Sequence, residues 1–128
     1  MSIEKGQSYS WPELLKQING EKSEPVYALH RRGQLLGLAL NRWQNPHAPD
    51  EVLVGQGQNW ERYADDFIRI KPILPIFIRE NEKDHEWYCV GCFQIYGHTD
   101  EIVEKNKRLI PGIVPAIYKI LFLEEVCD

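Results

Sequence analysis

Residues 51–67 read EVLVGQGQNWERYADDF: a short β-rich run, two glycines, then a stretch with the apolar periodicity of a helix. A dinucleotide-binding fingerprint would occupy this kind of passage, so its reading decides the fold class. That fingerprint is G-x-G-x-x-G after a strand, its third glycine letting helix and strand pack closely, with an acidic residue ending the next strand. Gly55, Gly57 and Glu80 satisfy parts of it, but the third glycine position holds Trp60. An indole there forbids the close approach, and 128 residues leave no room for a full dinucleotide fold. The glycine pair is therefore expected to make a turn that needs glycine backbone freedom, shaping a pocket wall beside Trp60.

Working outward, Asn59 is the expected cap of the helix. Upstream, NRWQNPHAPDE (41–51) has the Asn, Pro and Asp content of a loop, and PVYALHRRGQLLGLAL (25–40) reads as a hairpin about Arg32-Gly33. SYSWPELLKQING (8–20) predicts a short helix with Ser10 and Glu13 as a capping box, Pro12 in the first turn and Gly20 as the stop. Downstream, ILPIFIRE (73–80) predicts a strand in which Pro75 implies an edge or a bulge. NEKDH (81–85) turns the chain into a second arm, EWYCVGCFQIY (86–96). A helix capped by Thr99 runs through DEIVEKNKRL (100–109), PGIVP (111–115) breaks it, and AIYKILFLEEV (116–126) closes as a strand.

About six mostly antiparallel strands with three short helices predict an α+β fold, a small, curved, partly closed barrel with helices packed outside. One domain over 1–128 is expected, with a helical segment to residue 24 and the barrel over 25–126. Hydrophobic residues make up 43% and charged residues 27%, which fits a soluble globular chain and excludes a disordered one. No apolar run approaches the roughly 20 residues of a membrane span. The N-terminal MSIEKGQSYSW lacks a secretory pattern, and the odd set Cys89, Cys92 and Cys127 does not suggest a disulfide scaffold. A cytoplasmic setting is the expectation. The net charge of −4 gives no bulk attraction to phosphates, so nucleic-acid binding would need a local basic face drawn from the arginines and lysines.

Two features could carry chemistry. CVGC (89–92), with His85 and His98 near it, could be a redox pair or part of a zinc site. On a regular strand Cys89 points with Trp87 and Phe93 while Cys92 points with Tyr88 and Val90, so a shared metal would require a bulge at Gly91. Two core cysteines are the simpler expectation, and no cofactor or metal is implied. The second feature is a supply of aromatic rings, Trp43, Trp60, Trp87 and Tyr88. Trp43 and Trp60 have Asn, Gln and Gly neighbours, so they could line a pocket in which a planar heterocycle stacks and amides read its edge. His30 and His47 near Asp50 read as solvated turn residues. The adjacent carboxylates Asp65-Asp66 and Glu124-Glu125 read as solvated faces, and no nucleophile–base pair stands out.

Three stretches, NPHAPDEVLVGQGQNWERYADDF, LPIFIRENEKDHEWYCVGCFQI and TDEIVEKNKRLIPGIVPAIYKILFLEEV, together resemble the SRA-like, PUA-type barrel domains found with McrA-type, modification-dependent HNH endonucleases. The resemblance covers roughly residues 25 to 126 and lies in the order of the motifs. It implies a reader of modified bases in DNA that flips a cytosine derivative into a pocket on the barrel face. The matching positions are Gly55 and Gly57 in the turn, Trp60, Glu61 and Arg62 in the helix, and Trp87 to Gly91 in the strand. The sequence contains no HNH motif, and CVGC stands where an ordinary strand segment is expected.

The expectation is thus a non-catalytic module for a modified base, acting as a sensor or as adaptor to a nuclease partner protein, without a membrane. Trp43, Asn45, Asp50, Gly55, Gly57, Asn59, Trp60, Trp87 and Tyr88 would form the base pocket. Arg42, Arg62 and Arg79 would contact phosphates. The alternative is a PUA-like barrel binding a small molecule or protein with the same pocket, and arginines dispersed away from the pocket rim would favour it. A metal or redox enzyme built on CVGC is the third reading.

Overall fold

A computed structural model describes residues 3–21 and 27–126. The expected boundary at 24/25 and Cys127 lie outside the described residues. The elements, in chain order, are β1 (Ser8–Ser10), α1 (Trp11–Ile18), β2 (Ala28–Arg31), β3 (Gln34–Asn41), β4 (Glu51–Val54), α2 (Gln58–Ile70), β5 (Leu74–Arg79), β6 (Glu86–Thr99), α3 (Ile102–Arg108) and β7 (Lys119–Glu125). The strands form one curled, half-barrel sheet in the order β2-β3-β5-β6-β7-β4, with β1 added beside β6. All neighbouring pairs are antiparallel except β3 with β5. No helix among the described residues is long and apolar enough to cross a membrane.

Local chemistry explains the first elements. Ser10 Oγ accepts from the Glu13 amide at 3.3 Å, and the Glu13 carboxylate accepts from the Ser10 amide at 3.0 Å, closing the capping box. Asn19, in the left-handed region, terminates α1 one residue before Gly20. At the hairpin tip Arg32 (φ 52°) and Gly33 (φ 79°) are both left-handed, the turn whose twist suits a two-residue hairpin.

Both faces of the sheet are covered. One face packs Leu38, Leu40, Ile76 and Ile78 against Tyr63, Ala64 and Phe67 of α2. The other packs Leu29, Ala39, Phe77, Trp87 and Cys89 against Leu14, Leu15 and Ile18 of α1. Alternation along β3 and β5 produces this division, but β6 departs from it. Ile76 pairs with Gly91 whereas Phe77 pairs with Cys89, so Val90 is an extra residue and Gly91 sits at φ 127°. That bulge reverses the facing of the residues after it, as far as a second register shift between Ile95 and Gly97. Trp87 and Cys89 lie with α1, while Phe93, expected beside Cys89, lies with α2. Cys92 pairs with Pro75, two residues before Phe77, so the register returns Cys92 to the side of Cys89. Burial raises the pKa of the Cys89 thiol, as befits a core cysteine.

Three further sequence expectations are corrected, and one is narrowed. Of the edge or bulge expected at Pro75, the edge is excluded, since β5 lies between β3 and β6, while the β5–β6 register shift falls next to it, between Ile76 and Phe77. Pro75 fits because the parallel ladder starts one residue later at Ile76, and because Gly37 leaves room: a Cβ there would stand 3.0 Å from the Pro75 carbonyl. The N-cap of α2 is Gly57, not Asn59, and the Glu61 carboxylate accepts from the Gly57 amide at 3.1 Å. Thr99 ends β6, and its hydroxyl accepts from the amide of Glu101, the N-cap of α3. His30 is not a solvated turn residue; it is buried in β2 and stacks on Tyr63 at 4.8 Å.

Candidate functional site

Where β3 ends, the loop after it returns and α2 begins, the molecule has a cleft of about 490 Å³. Tyr27 and Trp60 stand on one side, stacked at 4.7 Å and within 13° of parallel. The Tyr27 hydroxyl donates to the Trp60 carbonyl at 2.7 Å, which fixes the pair. Burial, reinforced by the nearby Asp65 charge, pushes the Tyr27 phenol far above its ordinary pKa, so it stays a neutral donor. Gly57 makes the geometry possible: at φ 143° it turns the chain into α2, and a Cβ there would meet Trp60 Cδ1 at 3.2 Å. At Gly55 a Cβ would meet nothing within 4 Å, so that rim is open.

Amide side chains supply the polar wall. Asn41, Gln44, Asn45 and Gln56 all line the cleft, and among the described residues no Asp, Glu, Lys, Arg, His or Cys belongs to its lining. Asn45 is buried, and its Oδ1 accepts from the Leu53 amide at 2.8 Å. Asn41 Nδ2 donates to Gln44 Oε1 at 3.0 Å. The opposite wall is the segment Ile113, Val114, Pro115 and Ala116 after α3. Backbone bonds between Ile110 and Val114 shape it, and the preceding α3 is tied to β4 by Arg108, whose guanidinium reaches Glu51 at 2.8 and 3.0 Å and Glu104 at 3.0 Å. The hydrogen bonds from Arg108 hold the Glu51 carboxyl below its usual range.

Of the nine residues expected in the pocket, the structure brings Asn45, Gly55 and Trp60 together at this cleft, with Gly57 directly behind Trp60. Asn59 and Asp50 are exposed and do not line it. Trp43 and Trp87 hold the Arg79 guanidinium, 5.2 Å from one ring centre and 5.0 Å from the other, and Trp87 also packs on Trp11 at 5.3 Å. Tyr88 lies at a separate depression with Glu80 and His85. Sequence reading missed Tyr27, Asn41, Gln44, Gln56 and the 113–116 wall; the amide-rich neighbourhoods of Trp43 and Trp60 were the available signal for the two glutamines.

The three arginines are not on the rim. Arg42 binds the Glu80 carboxylate through two nitrogens at 3.1 and 3.0 Å and also donates to the Ala48 carbonyl, bracing the loop. Arg79 Nε donates to Asn41 Oδ1 at 3.1 Å. Arg62 lies over Tyr63 and beside Gly33 at the hairpin tip. Among the described residues no three His, Cys, Asp or Glu side chains gather to hold a metal. Comparison with known proteins finds no matching family model, no matching curated protein and no matching solved structure.

Proposed function

We propose that this protein is a non-catalytic binding module that takes a planar, uncharged heterocycle into the Trp60 cleft. The observation that carries the reading is the convergence of a stacked Tyr27–Trp60 pair and four amide side chains on one uncharged cleft. Its volume of about 490 Å³ falls within the common range of ligand sites. Aromatic and amide walls orient a ring without moving protons, which supports binding rather than turnover. Calorimetric titration with free nucleobases and related bicyclic rings tests it. Saturable binding that disappears in Trp60→Ala is expected; no heat with any ring would refute it.

A second reading, a PUA-type reader that flips a modified base out of DNA, draws on the motif resemblance and on one feature of the surface. Arg31, Arg32 and Arg62 gather at the hairpin tip, exposed and without an ion-pair partner among the described residues, and Arg62 stands two residues after Trp60 on α2. Such a patch could meet phosphates while the cleft holds a base. The commitments of Arg42 and Arg79, and the net charge of −4, favour the free ring. Duplexes carrying cytosine, 5-methylcytosine or 5-hydroxymethylcytosine, titrated at two salt concentrations, separate the two. Salt-sensitive binding selective for a modified duplex would select the DNA reading, with a nuclease partner then to be sought.

A further inference from the structure

The geometry points to a cleft in which the NH2 groups of Gln44 and Asn45 are left as uncommitted hydrogen-bond donors, and hence to a ligand whose reading edge carries acceptors such as ring carbonyls. This rests on the cleft being a heterocycle site and names the class of ring it selects.

The polarity follows from groups that cannot accept. A guanidinium only donates, so the oxygen of the Asn41 amide must face Arg79 Nε, which lies 3.1 Å away. That leaves the Asn41 nitrogen to face Gln44, and Gln44 must answer with its oxygen, at 3.0 Å. The Gln44 side chain, which lines the cleft, is left with its NH2 group. An independent constraint acts on Asn45. A backbone amide also only donates, so the Asn45 oxygen faces Leu53 N at 2.8 Å and its NH2 group is left over. Neither NH2 nitrogen has a protein partner among the described residues, and neither is sealed from solvent.

The sense of this relay originates outside the cleft. Trp43 and Trp87 hold the Arg79 guanidinium against their rings, so the cation cannot swing away and let Asn41 and Gln44 turn over. Arg79, outside the cleft lining but bonded to it through Asn41, is thus a positioning residue for the amide that reads the ligand. A ring offering amino groups to the two NH2 groups would bury mismatched donors, whereas a ring offering carbonyl oxygens would satisfy both.

Two purines of similar size test this by isothermal titration calorimetry on the full chain: 1,3,7-trimethylxanthine, whose edges carry acceptors only, and 2,6-diaminopurine, which has amino groups where the xanthine has oxygens. The unmodified protein is expected to bind the xanthine about tenfold or more tighter. Gln44→Glu keeps the shape and the bond to Asn41 but places a carboxylate oxygen toward the cleft, so the preference is expected to reverse. Arg79→Met is expected to keep binding while the preference falls toward unity, a change that mere loss of stability would not produce. Equal affinity of the unmodified protein for the two rings, or preference for the diamine, would overturn the donor assignment while leaving the cleft as a ring site. Binding of neither ring would overturn both.

Discussion

Two tryptophan groups occupy this small sheet, and they are built to opposite ends. Trp43, Trp87 and Trp11 surround or support the Arg79 guanidinium, so the rings already have their cation. Trp60 stacks on Tyr27 beside open space and amides. The first group uses its π-faces internally; the second keeps polar neighbours whose hydrogen-bonding capacity is not exhausted. A tryptophan's neighbours, more than its exposure, distinguish a brace from a binding wall.

The sharpest way to break this division is to truncate one ring from each group. Trp87 is 5% exposed, so Trp87→Ala removes a packed indole and exposes Arg79, an expected loss of about 3–5 kcal/mol in urea unfolding. Half-buried Trp60 should cost less, about 1–3 kcal/mol, yet Trp60→Ala should abolish ring binding in folded protein. If Trp60→Ala were the more destabilising of the two, Trp60 would belong with the brace and the division would fail.

A pair of glycines sharpens the contrast. Gly91, at φ 127°, makes the bulge that divides β6 between the two faces, and a Cβ there would meet the Glu125 carboxylate at 2.5 Å, where Lys5 is also bound. Gly91→Ala is expected to cost about 1–3 kcal/mol through its backbone conformation. Gly55→Ala adds a methyl where nothing lies within 4 Å, and stability should stay within about 0.5 kcal/mol while ring affinity shifts. Chemical denaturation of the two variants beside calorimetry of Gly55→Ala checks both; a strongly destabilised Gly55→Ala would mean that the cleft rim is packed, not open.

Legibility in the sequence follows the range of the interactions. The Ser10–Glu13 capping box and the Arg32–Gly33 turn depend on residues at most three apart and were readable. The parallel pairing of β3 with β5 and the Val90 bulge depend on register between distant strands, so the placement of Pro75 and of Phe93 was not. The site divides in the same way. Asn45, Gly55 and Trp60 belong to one continuous region whose composition signals a pocket, whereas Tyr27 and the 113–116 wall arrive from remote segments. Trp43 could not be told from Trp60 because its partner, Arg79, stands on another strand, in register with Asn41.

The smallest expected effect concerns what fastens each region. The Trp87 side is held by rings whose packing does not titrate, whereas the cleft's outer wall follows α3, which is tied to β4 by Arg108 and Glu51. Glu51 has its pKa depressed by this pairing, so its contribution is fully present above the unfolded-state value of about 4.3 and is lost as pH falls through the lower folded value. Glu51→Gln should therefore lower stability at pH 7 by about 1 kcal/mol or less, Arg108 retaining Glu104, and the difference from the unmodified protein should close in acid. Ring affinity should weaken over the same acid range, because releasing α3 loosens the segment that faces Trp60. Urea midpoints and calorimetric affinities at neutral pH and below pH 4 measure the two together. An affinity that held constant while stability fell would show that the wall is kept in place by Val114 and Ile117 packing on Ile120 rather than by the ion pair.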